Sequence, residues 1–168
     1  MNSKIIAESD FFKSLKDLKQ NKEHHPEGDV YVHSLLAYEY MRKYTHDDIM
    51  LTAALLHDIG KYRTQGIKDN GKITYYNHDI VGADDAFNYL IHNGYNFVDS
   101  FKVYMLIRYH MMTLHYKNCK KEKLNNMKNN FLYHNIDMSD LYLLCRCDIL
   151  ASDNDFSDLN NFMQLMNK

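Results

Sequence analysis

An all-α bundle is the fold class this sequence predicts, and three observations predict it. Apolar residues recur at three- and four-residue spacing in successive stretches of helix length. Cap-forming side chains precede several of those stretches. The 168 residues hold one proline and only six glycines, too few breakers for a turn-rich all-β fold. With 45% hydrophobic and 25% charged residues, a single domain over residues 1–168 is expected, with a core of its own.

Composition also excludes several functions. A formal net charge of -2 gives no general attraction to nucleic acid, so any polyanion contact has to be local. Met1 to Asp10 has no apolar stretch of signal-peptide length, and no run of 18 apolar residues occurs, so neither export nor a membrane partner is expected. Cys119, Cys145 and Cys147 are odd in number and lack zinc-ribbon spacing. They read as buried thiols of a cytoplasmic protein.

Taken in order, residues 5–20 predict a packing helix with Ile5, Phe12, Leu15 and Leu18 on one face. Asn21 to Gly28, which contains the proline, reads as a loop. Asp29 can cap a helix over Val30 to Lys43 that turns Val30, His33, Leu36, Ala37 and Tyr40 the same way. An inward histidine is more often a hydrogen-bonded core residue than a ligand, and His33 alone carries no more than that. The tyrosines between Tyr38 and Tyr44 suit a core or a dimer face equally.

Thr45 and Asp48 have the spacing of a capping box for the next helix, and Gly60 stands where a left-handed stop would fall. That helix ends Leu51-Thr-Ala-Ala-Leu-Leu-His-Asp-Ile-Gly-Lys61. His57 and Asp58, side by side at the end of an apolar helix, are costly to bury unless paired, hydrogen-bonded or bound to a metal. Residues 64–76 predict a short extended excursion around Asp69-Asn70-Gly71, beside that helix end. Asn77 can cap a helix closed by Gly94, with His78 in its first turn. Standing alone, His78 would as readily be solvated there.

A further helix over Val98 to His110 ends in Arg108-Tyr109-His110, where the helix dipole alone would favour a histidine. Asn118 to Asn130 is polar and reads as a solvated helix or loop. Ser139 can cap a helix over Asp140 to Ala151, on which Asp148 is the acidic exception on an apolar stripe. A cation is one of the few partners that would suffice for it. Ser152 to Lys168 predicts a short closing helix.

In chain order, five helices contribute inward or helix-end polar residues: His33, His57-Asp58, His78, His110 and Asp148. This sequence resembles the HD superfamily of metal-dependent phosphohydrolases, whose pattern is H…HD…H…H…D on a helical bundle. The resemblance spans about residues 26–152. Finer details are similar to the HD module of bacterial tRNA nucleotidyltransferases: His25-Pro26-Glu27-Gly28 before Val32-His33-Ser34, Lys61 and Thr64 after the pair, His78-Asp79-Ile80-Val81-Gly82-Ala83, and Arg108-Tyr109-His110. Asp79 stands where those relatives usually carry glutamate. No nucleotidyltransferase catalytic domain accompanies the module, so tRNA end synthesis is not implied.

The resemblance implies a metal held by His33, His57, Asp58 and Asp148. In two-metal relatives a second ion sits on residues matching His78 and His110, with Asp58 as the bridge; one metal is expected here ahead of two. Manganese, iron, cobalt, nickel, zinc and magnesium all suit the donor set. It further implies that Asp58 orients an attacking water, that Lys61 neutralises phosphate charge and that Thr64 hydrogen-bonds a phosphate oxygen. In their plainer readings Lys61 complements a helix C-terminus and Thr64 stabilises a turn. The expected substrate is a small phosphorylated molecule, a nucleotide or an RNA end. The alternatives are another HD specificity, such as a deoxynucleotidase or a dinucleoside polyphosphate hydrolase, or a non-catalytic ligand-binding HD module.

Overall fold

The structure, a computed structural model, describes residues 1–21, 26, 28–152 and 155–166. The predicted all-α class holds. Two short helices, α1 (Ser3–Ala7) and α2 (Asp10–Lys13), precede the long α3 (Val30–Met41) and α4 (Asp48–Leu56). A single turn, α5 (Lys61–Thr64), leads into a two-stranded antiparallel hairpin, β1 (Gln65–Ile67) and β2 (Ile73–Tyr75), with Gly66 opposite Thr74. Then come α6 (His78–His92), α7 (Phe97–Tyr109), α8 (Met112–His115), α9 (Lys121–Tyr133), α10 (Met138–Ser152) and α11 (Ser157–Met166). No helix among the described residues is long and apolar enough to cross a membrane.

The centre of the bundle is α4, whose residues from Met50 to Leu56 are all buried. A helix with no solvent face needs neighbours all round, and α1, α3, α7 and α10 supply them. Short connections make α3 and α4, and again α6 and α7, run back along each other. The starts of α3 and α6 and the ends of α4 and α7 therefore meet at one end of the bundle. His33, His57, Asp58, His78 and His110 stand at or near those four termini, and Asp148 reaches them from α10.

Several local expectations change. The helix expected over residues 5–20 is broken at Ser9, whose hydroxyl oxygen accepts from Phe12 N–H and starts α2 afresh. The break turns Ile6 into the core and leaves Ile5 63% exposed. The cap of α4 is Asp47, accepting from Ile49 N–H, while Thr45 Oγ1 accepts from Asp47 N–H and the Asp48 carboxylate is taken by Ser3. Asn77 is left-handed (φ 60°) and makes no side-chain cap, and at the start of α10 it is Asp137 that accepts from Ser139 N–H. The polar stretch after Asn118 is mainly helix α9, which buries Leu124, Met127 and Phe131. In the run His25-Pro26-Glu27-Gly28, His25 and Glu27 lie outside the described residues.

Gly60 is not a left-handed stop. Its backbone is right-handed helical, φ -65° and ψ -17°. Glycine is required for a different reason: a β-carbon there would lie 2.5 Å from Gly82 N and closer still to the His78 carbonyl oxygen. One on Gly82 would lie 2.8 Å from Gly60 N. The turn after Asp58 is thus seated directly on the first turns of α6, and that contact fixes His78 beside Asp58.

Candidate metal centre

Asp58 is buried, and its two oxygens face opposite ways. Oδ2 lies 3.4 Å from His57 Nε2 and 3.7 Å from His33 Nε2. Oδ1 lies 3.3 Å from His78 Nε2 and 4.0 Å from His110 Nε2. Asp148, 17% exposed, closes the first group with Oδ1 at 2.9 Å from His33 Nε2 and 3.6 Å from His57 Nε2. The two imidazole nitrogens are 3.3 Å apart. All six residues singled out as ligands therefore converge.

Backbone carbonyls decide which ring nitrogens point inward. His57 Nδ1–H donates to Ala54 O at 2.9 Å, His78 Nδ1–H to Tyr75 O at 2.8 Å and His110 Nδ1–H to Ile107 O at 2.7 Å. A carbonyl can only accept, so each Nδ1 carries a proton, and a ring that is neutral presents an Nε2 lone pair inward. Those lone pairs face carboxylate oxygens. His78 Nε2 is buried and makes no hydrogen bond among the described residues. Acceptors turned against acceptors in a buried site are unfavourable unless a cation lies among them.

The spacing fits such a cation. Metal–nitrogen and metal–oxygen bonds of about 2.0–2.2 Å imply ligand–ligand edges of roughly 2.8–3.6 Å in octahedral or tetrahedral shells. His33 and His57 Nε2 lie 3.3 Å apart and 2.9–3.7 Å from the nearer carboxylate oxygens of Asp58 and Asp148. Asp58, His78 and His110 form a second, looser group that shares the same carboxylate.

Charge follows the same logic. Burial opposes ionisation of Asp58, but Lys61 and then His57 outweigh it and hold the carboxyl far below the usual range. Burial likewise opposes ionisation of Asp148, and hydrogen bonds from His33 and His57 outweigh it. His57 is pushed up to about 10, because the Asp58 and Asp148 charges overcome the burial that would lower it. A proton on His57 thus supplies positive charge between the two carboxylates. His110, buried beside His78 and His57, is pushed down to about 4.

The remaining two predicted residues sit differently. The buried Lys61 ammonium donates to Asp58 Oδ2 at 2.7 Å and to Gln20 Oε1 at 2.6 Å. Thr64 Oγ1 donates to Gly60 O at 2.9 Å, closing the single turn of α5. Asp79 accepts from Arg108 at 3.2 Å, so the shorter acid reaches the arginine of the Arg108-Tyr109-His110 run. Sequence reasoning did not find Gln20, which lay within the supposed packing helix, nor Tyr75, whose carbonyl orients His78. A main-chain oxygen has no signature in sequence.

Four imidazoles and two carboxylates converging at one end of a helical bundle, with Asp58 shared between two groups, define a histidine–aspartate site able to hold a divalent cation. The family model of the HD domain matches residues 30–149, and the chain belongs to that family, whose members are generally metal-dependent hydrolases. No curated protein matches the chain.

Proposed function

We propose that this protein is a metal-dependent phosphohydrolase that cleaves a phosphomonoester or phosphodiester of a nucleotide or an RNA end. One observation carries the proposal: imidazole Nε2 atoms, turned inward by main-chain carbonyls, face both oxygens of one buried carboxylate. His33, His57, Asp58 and Asp148 would hold a first divalent ion. When bound, such an ion supplies Lewis acidity toward a phosphoryl oxygen and a water acidic enough to deprotonate near neutral pH. The loose second group favours one firmly held ion over two. His78 and His110 then stand beside the phosphate, where their Nε2 atoms can accept a proton from the attacking water or, once protonated, donate to a phosphoryl oxygen.

Lys61 is assigned a role different from direct phosphate contact. Its ammonium is engaged by Asp58 and Gln20, so it holds the shared carboxylate ionised and oriented. The Thr64 hydroxyl proton is used within its own turn, which favours the turn-stabilising role. By resemblance to the tRNA-enzyme module, a 2',3'-cyclic phosphodiester is the first substrate to test.

The test is elemental analysis of the purified protein. It is paired with hydrolysis of an aryl phosphate, its diester and a 2',3'-cyclic nucleotide under manganese, nickel, cobalt or magnesium, with Asp58→Ala as control. One to two metal ions per chain and turnover lost in the control are expected. Metal without turnover of any ester would leave a ligand-binding module, and absence of both would overturn the proposal.

A further inference from the structure

The HD match begins at residue 30, yet one contact to the metal centre comes from before it. Gln20 is buried, and its Oε1 accepts from Lys61 Nζ at 2.6 Å. The segment that carries it is tied down on two sides. Gln20 N–H donates to Gly28 O at 3.0 Å, Val30 N–H donates to Leu18 O at 2.9 Å, and Lys19 bridges Asp29. On the hairpin side, Tyr75 OH donates to Lys19 O at 2.7 Å, and the Tyr75 ring lies 5.7 Å from the Lys61 ammonium. Residues 18–20 thus form a strap between the start of α3 and the hairpin.

We infer that Gln20 is a positioning residue of the metal centre, acting through Lys61 on the shared carboxylate of Asp58. A lysine ammonium on a four-carbon stem has many rotamers, and one partner does not fix it. A second acceptor does. With Nζ held between Gln20 Oε1 and Asp58 Oδ2, the carboxylate plane is set so that Oδ2 meets His33 and His57 while Oδ1 meets His78 and His110. The strap is therefore part of the site. This inference rests on the metal-centre proposal above.

Manganese binding, measured by calorimetry on the full chain, tests it without relying on turnover. Gln20→Met keeps the bulk and removes the acceptor, and Gln20→Glu keeps an acceptor of the same length. Loss of an outer partner of a metal ligand costs about 10–100-fold in affinity, and Gln20 acts one contact further out through Lys61, so Q20M is expected to weaken binding by about tenfold and Q20E to restore it to within about threefold. Made in a Lys61→Met background, Q20M should change affinity by less than about twofold, because its route to Asp58 is gone. If K61M does not fold, the Q20M and Q20E pair decides. Q20M binding like wild type, Q20M and Q20E weakened equally, or the full Q20M loss persisting in K61M would each overturn the inference. Wild type binding no manganese would overturn the metal-centre proposal as well.

Discussion

Substituting Gly60 by alanine tests how the His57-Asp58 turn is held against α6. The new β-carbon would sit 2.5 Å from Gly82 N and closer still to His78 O, whereas ordinary contact begins at 3.4 Å, so the two backbones must part by at least about 0.9 Å. Both atoms it meets most closely are main chain, and neither can rotate away. Overpacking of this kind costs about 1–3 kcal/mol, and the rigid neighbours place G60A near the upper end, about 3 kcal/mol. For a domain of this size that lowers Tm by roughly 6–12 °C. Gly82→Ala meets Gly60 N at 2.8 Å and Gly60 Cα at 3.2 Å, a milder clash, so its loss should be smaller. The same opening carries His78 away from Asp58, from 3.3 Å toward roughly 4 Å, beyond the edge of a shell with about 2.1 Å bonds. Thermal unfolding of the two variants and a manganese titration of each provide the readings. A wild-type Tm for G60A, or G82A the more damaged of the two, would refute this account of the contact.

Three further outcomes are expected. Asp58→Ala strands the buried Lys61 ammonium, which costs about 3–5 kcal/mol, so the double variant D58A/K61M should be more stable than D58A alone by denaturant titration; equal midpoints would contradict the pairing. The metal-free protein should lose stability on both sides of about pH 6.5. His110, lowered to about 4, disfavours the folded state as pH falls from 6.5, by about 3 kcal/mol in all; His57, raised to about 10, withdraws its contribution as pH rises from 6.5 toward 10. On the proposed ligand set a bound metal would replace the His57 proton, so Tm measured from pH 6.5 to 10 should decline without metal and hold with it; parallel curves would count against His57 as a ligand. Finally, Cys145 is buried and its thiol is pushed far up by burial, while Cys147 is pushed up to about 12. A thiol reagent should therefore label half-buried Cys119 first in the native protein, with the other two reacting only on unfolding.

How much of this was legible in the sequence differs from residue to residue. Asp29 before Val30, and the run from Met50 to Leu56, apolar but for Thr52, state their structure locally, because a cap needs only its own first turn and a helix without a charged face must be central. His33, His57, Asp58, His78, His110 and Asp148 could be listed from spacing and resemblance, since each sits at a helix end or on an apolar stripe. The start of the chain misled because Ser9 competes for the backbone as a cap, which helical periodicity does not register.

The sequence by itself determined the helical class, the identity of the polar residues at the helix ends and the hard-to-borderline character of the donor set, all properties of residue type and short-range spacing. The tertiary structure alone decided that Asp58 divides its two oxygens between two histidine pairs, that carbonyls of Ala54, Tyr75 and Ile107 turn the ring nitrogens inward, and that Gly60 and Gly82 are there to touch each other. It also decided that Lys61 is held between Asp58 and a glutamine from outside the HD match. These are contacts between residues far apart in the chain or with main-chain atoms every residue shares, and only packing brings them together.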